Sequence, residues 1–181
     1  MTCLIPNRSD YNSTLDQNDY PILGVAGNYS PTIAIHRSTD ETGYKKLEPP
    51  YPLVAGIAIA AINGPKVADM KSQYGYAPPG DVFGDPKEAQ ETRDKIRLCL
   101  RIAAHHGHTR IVLGAIGCGA FANPSERVAE MFLHVFMEEE FTGGWFEHVV
   151  FAVKNSPTRD GWGTERAPFD PFWRILHGAI V

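Results

Sequence analysis

One stretch decides the fold of this chain: Ile111-Val112-Leu113-Gly114-Ala115-Ile116-Gly117-Cys118-Gly119-Ala120-Phe121-Ala122-Asn123-Pro124. An apolar, β-branched run leads into three glycines within six residues, and an Asn-Pro step then opens a helical pattern. A strand, a glycine loop and a helix start in this order bring several backbone N–H groups around one small space. Because a helix N-terminus carries partial positive charge, the space suits a phosphate or another anion. The alternative is a tight turn that needs glycine for backbone reasons and binds nothing.

Two helical patterns flank this stretch and begin in the same way. Asp85-Pro86-Lys87-Glu88 predicts a capping box with proline at the first helical position, and Asn123-Pro124-Ser125-Glu126 repeats it. The first helix is predicted to end at Gly107, and its core face holds Ile96, Cys99, Leu100 and Ala103. The second carries the apolar stripe Val128, Met131, Phe132, Val135 and Phe136. With apolar strands at 109–116 and 148–154, this alternation is typical of a parallel sheet between helices.

The rest of the chain adds one further strand and two irregular ends. The run from Tyr51 to Ile62 is apolar on both alternating faces, which predicts a strand covered on each side. Residues 1–31 are rich in turn formers and are predicted to be mostly irregular. Residues 156–181 are predicted to form a tail that packs on the body through a short helix. The length of 181 residues favours a single domain over residues 1–181.

Composition and charge exclude several classes of protein. The net charge of −4 argues against non-specific nucleic-acid binding, which needs a basic face. The longest apolar run is too short to span a bilayer, and the first residues lack the apolar core of a signal peptide. We therefore expect no membrane partner and an intracellular protein, cytoplasmic or nuclear. The three widely spaced cysteines form no CxxC pair, so we expect no metal site and no cofactor. The oligomeric state stays open.

Motifs on both sides of the glycine loop carry a family resemblance. Ala103-Ala104-His105-His106-Gly107-His108 precedes the loop strand, and Gly117-Cys118-Gly119-Ala120-Phe121-x-Asn123 is the most specific motif. Segments 28–37 and 50–63 upstream and 148–153 downstream follow in the same order. Over about residues 25–155 the sequence resembles the second half of the microbial-type poly(ADP-ribose) glycohydrolases, which are macrodomains.

The resemblance implies a fold and a ligand. The fold is α/β, a three-layer α/β/α macrodomain-like domain with a mixed sheet and with N-terminal strands reduced or rebuilt. The ligand is ADP-ribose, free or attached to protein, and the loop wraps its diphosphate while Phe121 packs against the distal ribose. Val153 and Asn155, placed by position alone, lie toward the adenosine. The implied binding residues of the loop are Gly114, Ala115, Ile116, Gly117, Cys118, Gly119, Ala120, Phe121 and Asn123.

The family's catalytic element has no counterpart in this sequence. That element is a Gly-Gly-Gly run followed by Gln-Glu-Glu, and it precedes the segments matched above; these 181 residues contain no Gly-Gly-Gly. The run Glu138–Glu140 fits a solvated helix face, which leaves Glu91 as a speculative catalytic candidate. Because glycosidic cleavage needs an acid at the leaving oxygen, we predict binding without hydrolysis, and whether the protein is an enzyme stays uncertain. The alternatives are a hydrolase with a relocated carboxylate and a degenerate interaction scaffold whose pocket Phe121 or Tyr76 fills.

Cys118 and the nearby histidines invite a second chemical hypothesis. A cysteine at a helix N-terminus is expected to have a stabilised thiolate, and His105, His106 and His108 are near in sequence. The intervening strand separates them by roughly 25 Å at ~3.3 Å per residue. A small loop residue and a helix-end histidine cluster are therefore the favoured interpretations.

Overall fold

The computed structural model describes residues 22–69, 81–154, 158–159, 165–166 and 168–180. The chain divides into two compact units, Met1–Ala60 and Ala61–Val181. The α-helices of the described residues are α1 (Pro86–His105), α2 (Ser125–Phe136) and α3 (Phe169–Leu176). The strands are β1 (Gly27–Ala34), β2 (Leu53–Ile59), β3 (Val67–Asp69), β4 (Asp81–Phe83), β5 (Arg110–Leu113), β6 (His148–Phe151), β7 (Thr158–Arg159) and β8 (Glu165–Arg166). No helix in these ranges is long and apolar enough to cross a membrane.

The first unit contains the antiparallel pair β1 and β2. Gly27 pairs with Ile59 and Ala34 with Leu53, and the register shifts between Ser30 and Ile33. Pro31 lies in this irregular step, where a residue without an N–H costs no ladder hydrogen bond. The strand begins earlier than expected, so the prediction of irregular structure is wrong for residues 27–31, while residues 1–21 lie outside the described residues. None of the seven residues of β2 is buried, which contradicts the expectation of a strand covered on both sides.

Helix α1 of the second unit begins and ends as predicted. Asp85 is extended, with φ −111°, and its carboxylate accepts a hydrogen bond of 2.8 Å from the N–H of Lys87. Glu88 completes the pattern differently, because its carboxylate accepts from the N–H of Lys66 at 3.1 Å. At the other end Gly107 has a φ of +72°, which glycine adopts without strain, and its N–H donates to the carbonyl of Ala104.

Strands β5 and β6 are parallel and are connected through α2, as the sequence pattern predicts. Arg110 pairs with His148 and Leu113 with Phe151. Inward-facing residues of the two strands pack on the helices, where the ring of Phe151 lies 4.9 Å from Phe132. The predicted core faces are buried, apart from Cys99, which is half-buried: Ile96, Leu100, Ala103, Val128, Met131, Phe132, Val135 and Phe136.

Helix α3 packs against the same core. Phe172 is 3% exposed, and its ring centroid lies 5.6 Å from that of Phe151. Arg174 donates to the carboxylate of Glu126 on α2 at 2.8 Å. The predicted short helix in the tail is therefore present. The single-domain organisation over residues 1–181 and the three-layer arrangement stay predictions.

Candidate functional site

The glycine loop folds into two successive turns between β5 and α2. In the first, the N–H of Cys118 donates to the carbonyl of Ala115 at 3.1 Å. In the second, the N–H of Ala122 donates to the carbonyl of Gly119 at 2.9 Å. The loop closes where the N–H of Asn123 donates to the carbonyl of Gly117 at 3.0 Å. The segment therefore has one defined backbone path rather than a loose connection.

Asn123 fixes that path from inside the protein. It is 3% exposed, and its Nδ2 donates to the carbonyl oxygens of Ile62 at 2.7 Å, Gly117 at 3.1 Å and Phe121 at 3.2 Å. One amide group has two hydrogens, so one of them is shared between two carbonyls. We expected Asn123 to contact the ligand and to begin the helix as Asp85 does. Its side chain does not cap the helix, because it is buried and donates to the carbonyls of the loop and of Ile62, and the ligand contact stays a prediction.

A short segment of 62–66 supports the loop from the other side. Besides the bond to the carbonyl of Ile62, the N–H of Gly64 donates to the carbonyl of Phe121 at 3.0 Å. Lys66 continues the segment, and its N–H donates to Glu88 in the first turn of α1. Residues 62–66 thus connect the two helix starts. The Asn-Gly-Pro turn signal at 63–65 was the single sequence hint of this segment, and it did not reveal the role.

Gly117 is the glycine that the loop requires. Its φ is +72°, and a Cβ at this position would overlap the side-chain amide of Asn123. A Cβ on Gly114 or Gly119 would meet nothing within 4 Å, and neither residue needs a positive φ. The first glycine of the Gly-Cys-Gly motif therefore builds the loop. The second leaves its surface open.

The open surface of the loop lies at a helix start without a side-chain cap. Pro124 occupies the N-cap position of α2, and no side chain accepts from the first helical N–H groups there. Among the described residues, the N–H groups of Gly119, Ala120 and Phe121 donate to no partner, and all three residues are exposed. Unfilled donors at the positive end of a helix form a site for an anion. This geometry agrees with the anion cradle predicted from sequence.

Cys118 faces the interior, contrary to the expected thiolate. It is 4% exposed, and its Sγ lies 3.5 Å from the carbonyl oxygen of Ile116. Burial raises the pKa of its thiol to about 12, against which a hydrogen bond with Ser125 acts in the lowering direction. A thiol with so high a pKa is not a nucleophile at neutral pH. The buried thiol agrees with a small loop residue, and the expected contact of Cys118 with the ligand stays a prediction.

An apolar groove of about 270 Å³ lies between β6 and α3. Val153 lines it, as do the rings of Phe151, Phe169, Phe172 and Trp173. Val153 follows the end of β6 and lines this groove, and its expected place near the adenosine stays a prediction. Asn155, predicted with it, lies outside the described residues.

The carboxylates considered for catalysis are held in ion pairs. Glu91 on α1 lies 2.6 Å from the Nζ of Lys95, whose side chain is 5% exposed. Glu138 accepts two hydrogen bonds from Arg97, at 2.6 and 2.7 Å. Glu140 does the same with Arg101, which holds the pKa of that carboxyl below its usual range. Glu139 and Glu140 are exposed, in agreement with the predicted solvated run; the run follows α2, and Glu138 and Glu140 pair with arginines of α1.

The histidines mark the end of α1. His105 lies in its last turn, and the ring centroids of His105 and His106 are 5.1 Å apart. Within the described residues, no group of three His, Cys, Asp or Glu side chains is placed to hold a metal ion. The cluster is the predicted helix-end cluster.

Solved structures of one enzyme family are similar to this chain. No protein-family model matches the chain, and neither does any curated protein. Among solved structures, the poly(ADP-ribose) glycohydrolase of Deinococcus radiodurans in complex with ADP-ribose matches with a TM-score of 0.62 and 28% identity. The match covers 94% of this chain and 60% of the enzyme. The chain is a structural relative of the microbial poly(ADP-ribose) glycohydrolases. The predicted family resemblance is confirmed.

A second organism gives the same result. The glycohydrolase of Thermomonospora curvata matches with a TM-score of 0.57 and 31% identity, over 82% of this chain and 46% of that enzyme. Its complex with the inhibitor ADP-HPD matches with a TM-score of 0.60 and 28% identity, over 92% of this chain and 54% of that enzyme. The chain thus spans about half of the length of the glycohydrolases that it matches.

Proposed function

We propose that this protein binds ADP-ribose, with the diphosphate seated on residues 114–121 and the start of α2. One observation carries the proposal. The glycine loop has N–H groups without partners, and it leads directly into a helix start without a side-chain cap. The Deinococcus relative holds ADP-ribose, which supports this choice among diphosphates.

Each part of the loop has a proposed role. The N–H groups of Gly119 and Ala120 donate to the diphosphate oxygens, since both residues are exposed and neither has a side chain larger than a methyl group. The ring of Phe121, 41% exposed, packs against the distal ribose. Val153 and the aromatic groove beside β6 receive the adenosine. Asn123, Gly117 and Cys118 act indirectly, by holding the backbone in this shape.

We further propose that binding occurs without hydrolysis by this chain. Glu91 is engaged by a buried lysine, and Glu138 and Glu140 by arginines, so these carboxylates serve the structure. A degenerate, self-filled pocket is disfavoured by Phe121, because its ring is exposed rather than folded into the loop. Tyr76, the other ring considered for that role, lies outside the described residues. We also propose the three-layer α/β/α arrangement, of which the packing of α1, α2 and α3 on one side of β5 and β6 supports one outer layer.

The proposal is tested by calorimetric titration with ADP-ribose. We expect saturable binding, and we expect Gly119→Glu to weaken it roughly tenfold or more because a carboxylate on the loop repels the diphosphate. Gly119→Ala is the matched control: it adds one methyl group and no charge to the same open space, so it should weaken binding less than Gly119→Glu does. The absence of binding heat at millimolar ADP-ribose, or equal affinity of the two variants, would contradict the proposal.

Hydrolysis is measured in the same samples. Incubation with poly(ADP-ribose) is expected to release no ADP-ribose above a blank without protein. Release that disappears in Glu91→Ala would instead favour the hydrolase with a relocated carboxylate.

A further inference from the structure

The segment of 62–66 contains a reactive pair of residues, Asn63 and Gly64. Asn63 is the one asparagine of the sequence that precedes a glycine. Both residues are exposed, and Gly64 has a φ of +60°. A Cβ on Gly64 would meet nothing within 4 Å. The backbone nitrogen of Gly64 is therefore next to a side-chain amide, and no side chain of its own residue hinders its attack.

This pair of residues has the atoms for one balanced reaction. The nitrogen of Gly64 loses its proton to solvent and attacks Cγ of Asn63, and the side-chain nitrogen leaves as ammonia, so that a succinimide ring closes. Water then opens the ring at either carbonyl. One opening gives aspartate with an ordinary main chain. The other gives isoaspartate, whose main chain runs through the former side chain and contains an additional carbon, about 1.5 Å of chain.

A hydrogen bond to the glycine loop restrains this reaction. The N–H of Gly64 donates to the carbonyl of Phe121 at 3.0 Å. A nitrogen whose proton is held in a hydrogen bond is a poor nucleophile, so the bond must open before the ring closes. Both residues are exposed, and hydrogen bonds between exposed segments open locally without unfolding of the whole protein. The rate of the reaction therefore depends on how firmly the loop holds Gly64.

The neighbours of Asn63 are fixed on both sides, so a longer main chain does not fit between them. On one side, the carbonyl of Ile62 accepts from the buried Asn123 at 2.7 Å. On the other side, the N–H of Lys66 donates to the carboxylate of Glu88 at 3.1 Å. The additional carbon of isoaspartate must therefore be accommodated between these two contacts, where the backbone is exposed.

We propose that Asn63 is a site of spontaneous deamidation and that its isoaspartyl form loosens the glycine loop. The longer main chain moves the N–H of Gly64 away from the carbonyl of Phe121, and the loop loses this support. The aspartyl form has an ordinary main chain and keeps the hydrogen bond. The inference goes beyond ADP-ribose binding and does not depend on it, since it concerns the backbone of the loop and not its ligand.

The first measurement follows the purified 181-residue chain during incubation at mildly alkaline pH. Peptide mapping by mass spectrometry measures isoaspartate at position 63, and a synthetic peptide of residues 60–68 gives the rate without the fold. We expect conversion in the protein to be roughly tenfold slower than in the peptide, because the hydrogen bond of Gly64 must first open. Asn63→Gln is the matched control: its longer side chain closes a larger ring, so it should form no isoaspartate.

The second measurement is hydrogen exchange of the loop amides of Cys118, Ala122 and Asn123, which all donate within the loop. In the isoaspartyl protein, purified by chromatography, we expect these amides to exchange roughly tenfold faster than in the unmodified protein. Asn63→Gln, incubated in the same way, should exchange like the unmodified protein. Asn63→Asp has the new charge without the additional carbon, and it should do the same.

Each part of the inference has a result that would overturn it. Position 63 is not the proposed site if the folded protein forms no isoaspartate there. The hydrogen bond does not restrain the reaction if the protein converts as fast as the peptide. Main-chain length is not the cause if the loop amides exchange at an unchanged rate in the isoaspartyl form, or equally fast in Asn63→Asp. ADP-ribose titration of the unmodified chain runs in parallel, and a failure to bind contradicts the proposed function alone.

Discussion

Two helices of this protein begin with nearly the same four residues and use them in opposite ways. At α1, the carboxylate of Asp85 turns forward and accepts from the N–H of Lys87. At α2, the side chain of Asn123 turns back and donates to three carbonyls of the preceding chain. A carboxylate can only accept, whereas an amide can also donate. The first helix thus has a side-chain cap at its positive end, and the second has none.

The difference also separates structural from functional demands. At the start of α1, the carboxylate of Glu88 also accepts a hydrogen bond from the N–H of Lys66, so the polar groups there stabilise the fold. At the start of α2, Glu126 accepts from Arg174, and the buried Asn123 donates to the carbonyls of the preceding loop. Asn123 stabilises the backbone path of the glycine loop from its buried position. Substitutions at the two Asx positions should therefore have unlike consequences.

Exchanging the two side chains gives the largest expected effect. Asn123→Asp places a buried carboxylate against three carbonyl oxygens and removes their donor, so we expect a loss of about 4 kcal/mol in the free energy of unfolding. Asp85→Asn should change it by a few tenths of a kcal/mol, since asparagine also caps helices. Urea unfolding followed by tryptophan fluorescence measures both. Equal losses in the two variants would show that Asn123 is a simple cap after all.

The two glycines around Cys118 give a middle-sized effect. Gly117→Ala forces a positive φ on an L-residue and overlaps the amide of Asn123, so we expect a loss of about 3 kcal/mol. Gly119→Ala should stay within about 0.5 kcal/mol, because its Cβ meets open space. Thermal unfolding of the pair is the measurement. A stable Gly117→Ala protein that still binds ADP-ribose would contradict the braced loop.

Alkaline pH gives the smallest expected effect. It tests whether burial or the helix start determines the pKa of the Cys118 thiol. A helix start alone would lower the pKa of its thiol, but burial raises it from 9.0 to about 12. Because the folded-state pKa lies above that of the unfolded chain, this stability is complete below pH 9 and is lost as the pH rises toward 12. At pH 10 the loss is about 1 kcal/mol. Serine does not titrate in this range. Between pH 7 and pH 10, the free energy of unfolding of Cys118→Ser should therefore fall by about 1 kcal/mol less than that of the unmodified protein. Parallel pH dependences of the two proteins would contradict the effect of burial.

Local patterns in the sequence predicted the elements, and distant contacts decided how they are used. The cap of α1, the glycine end at 107, the apolar stripe of α2 and the parallel pair β5–β6 all follow from residues near each other in the chain. The direction of Asn123 does not, because it depends on the carbonyl of Ile62, far away in sequence. The same holds for Glu138 and Glu140, whose arginine partners lie on another helix.

The partner of β2 was not predicted for a related reason. Its apolar run indicates a strand covered on both faces, and composition does not choose a partner strand. The loop backbone was predicted better than its side chains, because glycine spacing constrains φ while the orientation of Cys118 and Asn123 depends on packing.

The segment of 62–66 has a consequence for how this protein tolerates change. It holds the loop through Ile62 and Gly64 and the start of α1 through Lys66, with the buried Pro65 between them. Its length sets the spacing between the start of α1 and the glycine loop before α2. The side chain of Asn63 is exposed, so we expect substitutions at this position to be tolerated. One residue gained or lost between 62 and 66 would displace both helix starts together, so this segment constrains chain length more than residue identity.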